Sequence, residues 1–225
     1  MCKVFLSKWA PEPLRKYLRT KGCEIVPVSG TEMSPIKGQE SVSTAISDHP
    51  DIYYCKLGCH DDAPVFCGDP GMLNIGYPEE IIYNAACTGR YIIHNMKYTC
   101  PELLNTARSM GMIPVDVKQG YAKCNTVIVS ENAVISSDRG MCSAMQNAGL
   151  DVLLIDRGHI SLQGYEYGFI GGASGRIKNE IIFNGDLSAH PDFKRICDFI
   201  KYHALEIKYF EEFPLSDIGS IISMC

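Results

Sequence analysis

The sequence predicts an α/β protein built from repeated strand-strand-helix-strand (ββαβ) units, because two hydrophobic patterns alternate along the chain. Short apolar runs such as residues 91–94 have the length and composition of β-strands. Between such runs, apolar side chains recur three or four positions apart, as at Leu14, Tyr17 and Leu18, which is typical of one face of a helix. A glycine follows several of these helical patterns, where helices commonly end.

The clearest copies of the unit lie in the second half of the chain. Residues 126–155 predict a hairpin, a helix capped by Asp138 and a closing strand, and residues 168–210 repeat this order of elements. The last apolar segment, residues 218–222, is too short for a unit and is predicted to complete the first one, which lacks a strand. Four copies are therefore visible, and a fifth is either split between the termini or hidden in residues 46–85.

The length of 225 residues is compatible with one domain, which we expect to cover residues 1–225. A three-layer, Rossmann-like α/β sheet is the alternative architecture. Against it, no Gly-x-Gly-x-x-Gly follows a strand and no Gly-Lys-(Ser/Thr) occurs in the sequence. A phosphate-binding loop for a nucleotide is therefore not expected.

Composition limits the classes of partner. The sequence has 21 Lys and Arg residues and 26 Asp and Glu residues, so the formal net charge is −5. Because no segment concentrates the basic residues, we expect no nucleic-acid partner. No apolar run approaches the roughly 20 residues that cross a bilayer, so no membrane partner is expected. No export signal is recognisable, and the 11 cysteines are below the density of a disulfide scaffold. Free thiols and a cytoplasmic location are predicted.

One group of candidate site residues lies at Asp48-His49-Pro50-Asp51, directly before an apolar segment, residues 52–55, that has the pattern of a strand. Its two carboxylates are suited to hold a cation or to orient the imidazole. Formation of a turn by the same residues is the alternative. The His-Pro-Asp triplet recurs at residues 190–192, where it is predicted to start a helix.

Four residues that can ligate metals, Cys55, Cys59, His60 and Cys67, form a second candidate group. Zinc accepts such ligands, but their spacing matches no established zinc or iron–sulfur pattern. Buried free cysteines are the alternative interpretation. We expect no cofactor, and whether this group binds a metal is left open.

Two further segments combine glycines with polar side chains. Gly158-His159 stands between two predicted strands and leads to the glycine-rich residues 168–175, where a ligand or another backbone can approach closely. Residues 215–222 place Asp217 and Ser220 around the last predicted strand. A histidine bonded to a backbone group, and a simple turn at the strand end, are the alternatives.

Together with the repeated ββαβ units, residues 122–126 before a hairpin, Gly158-His159 before a strand and a glycine-bearing C-terminal strand resemble the pentein fold of guanidino-group-modifying enzymes. That superfamily includes deiminases, dimethylarginine hydrolases and amidinotransferases. The resemblance implies a pentein-like α/β propeller of five blades around a central channel. It also implies a cysteine nucleophile on the last repeat, a histidine acid/base and carboxylates that hold the guanidinium group.

Under this resemblance His159 matches the family histidine, and Ser220 stands where the family carries its cysteine. With Asp217 they are the predicted catalytic residues. Six residues are predicted to bind substrate: Asp48, His49, Asp51, Asn125, Gly171 and Ser174. Cys124 and Cys225 lie near candidate segments without matching the family motif.

The function expected from the resemblance is a central pocket for a cationic amidine or guanidino-type small molecule. If the protein is an enzyme, it is expected to be a hydrolase or transferase at a guanidino or amidine C–N bond. The alternative is a non-catalytic, pentein-like binding module that acts through a protein partner. The oligomeric state is not predicted.

Overall fold

The computed structural model describes residues 2–34 and 42–225 and has a mixed α/β architecture. The strands are β1 (Cys2–Ser7), β2 (Cys23–Val28), β3 (Tyr54–Lys56), β4 (Val65–Cys67), β5 (Ala86–Cys87), β6 (Tyr91–His94), β7 (Ile113–Asp116), β8 (Thr126–Ser130), β9 (Ala133–Ser136), β10 (Asp151–Leu154), β11 (Ser174–Ile177), β12 (Glu180–Phe183), β13 (Glu206–Lys208) and β14 (Ile222–Met224). The helices are α1 (Glu12–Thr20), α2 (Gly30–Met33), α3 (Pro50–Tyr53), α4 (Pro101–Ser109), α5 (Ala122–Asn125), α6 (Arg139–Asn147) and α7 (Phe193–Tyr202).

Within the described residues the strands form five small sheets, and not the single sheet of the Rossmann-like alternative. Four sheets have the same plan: β14-β1-β2, β5-β6-β7, β8-β9-β10 and β11-β12-β13. In each, the first strand is antiparallel to the central strand, which in turn is parallel to the third strand after an intervening helix. The predicted repetition of ββαβ units is confirmed for these four sheets.

The C-terminal strand completes the first unit, as predicted, since β14 pairs with β1 in the register Lys3 to Met224. It begins at Ile222 and not at residue 218, because Gly219 and Ser220 have positive φ values of 71° and 73° that an extended strand does not allow. The hairpin β3-β4 lies in the region where a hidden fifth copy was expected. Among the described residues, this hairpin is not followed by the helix and the parallel third strand of the other four sheets.

The first strands of the five sheets, β14, β3, β5, β8 and β11, contact one another in chain order. β3 lies between β14 and β5, β8 lies between β5 and β11, and β11 contacts β14. The series of contacts thus returns to its starting strand. The N-terminal ends of the five first strands lie near one another, because hydrogen bonds join residues that stand just before them.

The helices pack apolar faces on the sheets. In α1, Leu14 and Leu18 are fully buried four positions apart, in agreement with the predicted helix face. Asp138 caps α6 as predicted, because its carboxylate accepts a hydrogen bond from the N–H of Met141. Burying one leucine of this kind stabilises the fold by about 2 kcal/mol.

Two predicted strands are wrong. The strand expected after Gly158-His159 is absent, since no strand is described between β10 and β11. Residues 52–55 were expected to form a strand, but Pro50–Tyr53 form a single helical turn, and the strand starts only at Tyr54. Pro50 has the φ value that a first helical residue needs, and Asp51 occupies the first turn, where the helix dipole favours an acid. The turn places His49 and Asp51 beside the N-terminal end of β3.

The prediction of free thiols holds for nine cysteines among the described residues and is wrong for Cys2 and Cys225, which form a disulfide. The antiparallel pairing of β1 with β14 brings these two positions together. Among residues 2–34 and 42–225, no helix is long and apolar enough to cross a membrane.

Candidate functional site

The candidate site is assembled where the first strands begin. One residue lies two or three positions before each of them: Asp51 before β3, Asn84 before β5, Cys124 before β8, Gly171 before β11 and Ser220 before β14. Hydrogen bonds join these residues to one another. The repeated fold therefore brings together residues that are up to 169 positions apart in the sequence.

Asp51 is the centre of the hydrogen-bond network. Its Oδ2 accepts the hydroxyl of Ser220 at 2.6 Å and the thiol of Cys124 at 3.2 Å. The ammonium group of Lys123 donates to Ser220 Oγ at 2.9 Å and to the carbonyl oxygen of Gly171 at 3.3 Å. The charge-assisted bond from Ser220 to Asp51 is the shortest of the set, which fixes the serine hydroxyl on the carboxylate.

Asn84 holds the short helix α5 against the network. Its Oδ1 accepts the backbone N–H groups of Lys123 and Cys124 at 3.0 and 3.2 Å. Its Nδ2 donates to Cys124 Sγ at 3.2 Å and to the carbonyl oxygen of Asp51 at 3.1 Å. The side-chain amide, which is fully buried, therefore orients the thiol with respect to Asp51.

Asp217 and His49 form the other side of the site. The carboxylate of Asp217 accepts N–H groups from Gly219 at 3.0 Å and Phe169 at 2.9 Å. His49 Nδ1 lies 3.8 Å from Asp217 Oδ1. Although both are buried, His49 Nδ1 and Asp51 Oδ1 have no hydrogen-bond partner among the described residues. Buried polar atoms are nearly always satisfied, so these two indicate a place for a ligand or solvent.

A cavity of about 190 Å³ opens onto these side chains. Its polar lining includes His49, Cys124 and Asp217. Four aromatic residues form much of the wall: Tyr121, Tyr165, Tyr167 and Phe169. The volume exceeds the roughly 150 Å³ of a cavity that holds benzene, so a small organic molecule fits.

Burial shifts the pKa of five ionisable groups in the site. It raises the pKa of Asp217 to about 6, although the hydrogen bonds from the N–H groups of Gly219 and Phe169 act in the opposite direction. Burial also raises the pKa of Asp51, and it raises the pKa of Cys124 well above its usual value. The pKa values of His49 and Lys123 are lowered by burial. Without a ligand the site therefore contains a protonated thiol, a neutral imidazole and a carboxyl group that titrates near neutral pH.

The donor set that could hold a metal ion is His49, Asp51 and Cys124, whose ligand atoms all lie within 4.8 Å of one another. Nitrogen, oxygen and sulfur donors of this kind suit Zn²⁺. Cys55, Cys59, His60 and Cys67 form no such group within the described part of the chain. His60 and Cys67 are exposed. The Cys55 thiol forms a hydrogen bond with the Cys87 thiol at an Sγ–Sγ distance of 3.7 Å, and both cysteines are free.

Residues 67–222 match the model of a family of unknown function, DUF6873. The matched segment covers more than half of the chain. The protein belongs to the DUF6873 family. No curated protein and no solved structure matches the chain. The DUF6873 match includes Cys124, Asp217 and Ser220, whereas His49 and Asp51 precede it.

In this DUF6873 protein, five of the predicted site residues meet: His49, Asp51, Gly171, Asp217 and Ser220. The contribution of Gly171 is its carbonyl oxygen, which also accepts the hydroxyl of Ser174 at 3.2 Å. Asn125 is buried beside the site and donates to the carbonyl of Tyr121 at 3.4 Å.

His159 and Asp48 lie apart from the network of this DUF6873 member. His159 has a side chain that is 41% exposed, stands 4.0 Å from Asp156 and packs edge-on against His190. Asp48 binds the indole N–H of Trp9 at 2.6 Å and the backbone N–H of Gly30 at 2.9 Å. The expected convergence of His159 with Ser220 is therefore absent, because the loop after β10 directs the histidine to the surface.

Cys124, Lys123 and Asn84 complete the site of this protein, but sequence reasoning did not place them there. Cys124 was noted only as a thiol near a candidate segment. The sequence signal that could have identified the site is position, since each of the five network residues lies two or three positions before a first strand. Recognising it requires the correct first strand of every unit, and β3 and β5 have only three and two residues.

Replacing Gly171 by alanine should destabilise the DUF6873 fold. A Cβ atom there would lie 2.4 Å from the backbone oxygen of Lys123 and 2.5 Å from that of Thr126, and neither can move like a side chain. We expect the free energy of unfolding in urea to fall by about 3 kcal/mol. The matched variant is Gly140→Ala in α6, where the nearest atom is a side-chain oxygen at 3.3 Å, and it should change stability by less than about 1 kcal/mol. Equal effects of the two variants would contradict the close packing at Gly171.

Proposed function

We propose that this protein is a pentein-like ring of five units whose cavity binds a small organic cation of the amidine or guanidino class. The single observation that carries the proposal is the placement of Asp217, His49 and Cys124 among four aromatic side chains, with Asp51 bonded to the thiol. Carboxylates attract the charge of such a cation, and aromatic faces stabilise it by cation–π contact.

The arrangement of strands supports the ring. Four sheets repeat one connectivity, a hairpin supplies a fifth unit, and the first strands contact one another in a series that returns to β14. In a pseudo-symmetric ring, equivalent strand ends face a common axis. The five network residues occupy such equivalent positions, which agrees with a site on that axis.

The charge of the site favours a cationic ligand. Asp51 and Asp217 are buried acids. Lys123 is half-buried and donates to Ser220 of the network, and burial lowers the pKa of the neighbouring His49, which favours its neutral form. Lys123 is directed at Ser220 and Gly171 and does not line the aromatic cavity. A bound amidinium would compensate the second carboxylate and supply donors for its oxygens.

The geometry also favours Cys124 over Ser220 as the nucleophile of an amidine C–N hydrolase. Cys124 lines the cavity, whereas the Ser220 hydroxyl donates to Asp51 from outside it. In the proposed reaction the thiol proton passes to Asp51 Oδ2 and sulfur bonds to the amidinium carbon. The C–N bond then breaks as the amine leaves with this proton from Asp51, while the ionised Asp217 holds the charge of the bound group. Water attacks the sulfur-bound carbon and the C–S bond breaks; one water proton restores the thiol, the other passes to the released amine, and the oxygen stays on the product.

Thermal unfolding with a panel of ligands tests the binding step. Arginine and agmatine should raise Tm in a saturable way, because a ligand that binds only the folded state stabilises it. Citrulline has nearly the same shape as arginine without the charge and should leave Tm unchanged. A flat response to the whole panel would contradict the proposal and favour the protein-partner alternative. Cation binding that depended on added Zn²⁺ and was abolished by EDTA would contradict it as well.

A further inference from the structure

A second, smaller cavity lies farther along the first strands, and no step of the proposed function uses it. Its volume is about 40 Å³, and residues of all five first strands or their ends contribute to its wall. Three cationic side chains line it: Lys56 of β3, Lys123 of α5 and Arg176 of β11. The other lining residues are glycine, serine, cysteine and aliphatic residues, and none is acidic.

The three cations have no carboxylate within 4.0 Å in the described part of the chain. Lys56 donates to the hydroxyl of Ser223 at 2.8 Å. Arg176 donates from one amino group to the carbonyl of Val129 at 2.6 Å and from Nε to the carbonyl of Lys178 at 3.1 Å. An ammonium group has three donors and a guanidinium has five, so both retain free donors after these bonds. The acidic residue with the largest charge effect on Lys56 is Asp61, whose carboxylate already accepts the backbone N–H of Lys178. For Lys123 it is Asp51.

Positive charge without a counter-charge is costly in a mostly apolar cavity. Burial lowers the pKa of Lys56, and the charge of Arg176 acts in the same direction. An anion between the two side chains would offset both effects and satisfy their free donors. The cavity thus has the charge and the hydrogen-bond donors of an anion site.

We propose that this cavity binds a small monovalent anion, of the size of a halide, nitrate or a carboxylate group, between Lys56, Arg176 and Lys123. The cavity volume limits the size of the anion. About 10 to 15 Å³ of cavity volume holds one water molecule, so 40 Å³ accommodates an anion of about the size of three water molecules. Larger anions such as gluconate do not fit. This proposal does not depend on the proposed function, since the aromatic cavity has a different lining, without Lys56 or Arg176.

Thermal unfolding at constant ionic strength, with gluconate as the replacement salt, tests the site. Chloride, nitrate and formate should each raise Tm in a saturable way, by about 3 °C at about ten times Kd. Lys56→Met and Arg176→Gln should each lose this rise. Lys16→Met and Arg108→Gln remove the same charges from exposed positions and should keep it. Comparison of the three anions shows whether halides or carboxylates are preferred.

Bromide provides a direct readout that does not depend on the stability of the variants. In crystals of the wild-type protein grown with bromide, we expect anomalous scattering between the side chains of Lys56 and Arg176. A Tm that responds equally to gluconate and chloride, or a response retained in both cavity variants, would overturn the proposal. So would crystals without bromide in the cavity. Lys123 is not used as a test position because it also contacts the candidate site.

Discussion

Affinity for a guanidinium compound should fall about tenfold for each pH unit below about 6 and be constant above it. Asp217 has a pKa of about 6 in the folded protein, and only its ionised form attracts the cation. The guanidinium group stays charged throughout this range. Isothermal titration of agmatine between pH 4.5 and 8 measures the profile. Asp217→Asn should bind about 100-fold more weakly at pH 8, which corresponds to about 2.7 kcal/mol for a lost buried charge pair.

Two neighbouring groups also titrate, and their effects on affinity need to be distinguished from that of Asp217. Asp51 has a raised pKa, and His49, with a lowered pKa, gains a positive charge in acid. Both changes weaken cation binding as the pH falls, in the same direction as Asp217. The pH profile of Asp217→Asn should therefore be shallower but not flat. Asp198→Asn, on the exposed surface of α7, is the control and should keep the wild-type profile. A profile shared by the wild type and Asp217→Asn would exclude Asp217 as the cation-binding group.

The raised pKa of Asp217 also predicts that stability falls as the pH rises, whereas affinity for the cation increases. The pKa of Asp217 is about 6 when folded, against 3.8 for an ordinary aspartate, so the folded state holds more protons between these values. The contribution of Asp217 to the free energy of unfolding should fall as pH rises from about 4 to 6, by about 3 kcal/mol in total. The difference between the wild type and Asp217→Asn across this range isolates the contribution. Their absolute stabilities also differ, because asparagine offers one acceptor to the N–H groups of Phe169 and Gly219.

Cys124 should be alkylated at least about tenfold faster by chloroacetamidine than by chloroacetamide at pH 7. The two reagents have the same size, but only the first carries an amidinium group that Asp217 and the aromatic side chains can hold. A bound cation also lowers the pKa of the thiol, which burial otherwise raises. Mass spectrometry of the digested protein gives the rate at each cysteine. Agmatine should slow the reaction at Cys124.

The exposed Cys67 serves as an internal control, because it lies outside the cavity and should not distinguish the reagents by charge to the same degree. Cys124→Ser should remove the fast phase while its circular dichroism stays that of the wild type. A preference for chloroacetamidine that is equal at Cys67 and Cys124 would reflect intrinsic reactivity and contradict a cation site. Fast modification that persists in Cys124→Ser would assign the nucleophile elsewhere.

The sequence was informative for elements whose partners lie nearby in the chain. The hairpin β8-β9, the capping of α6 by Asp138 and the helix face of Leu14 and Leu18 depend on spacings of a few residues, and all are observed. The three-residue strand β3 was misplaced, because Pro50 and Asp51 favour a helical turn over the apolar residues that follow. For so short an element, one capping residue decides the local structure.

The site was predicted in part. Asp51, Asp217 and Ser220 were recognised as polar residues at strand ends. Asp51 and Ser220 meet in the network, and Asp217 lines the cavity beside it. His159 was chosen because of the preceding glycine, which carries no information about where the loop directs the side chain. The orientation of the Cys124 thiol depends on a hydrogen bond from Asn84, which is 40 positions away in the sequence. Such pairings are determined by packing and not by local pattern.

The amino-acid sequence by itself determined the repeated ββαβ units, because hydrophobic periodicity and end caps act over a few residues. Only the tertiary structure decided which strand ends meet, and so which thiol, acids and histidine surround the aromatic cavity. The physical reason is that contacts between units join residues up to 169 positions apart, whose proximity depends on how the five first strands contact one another.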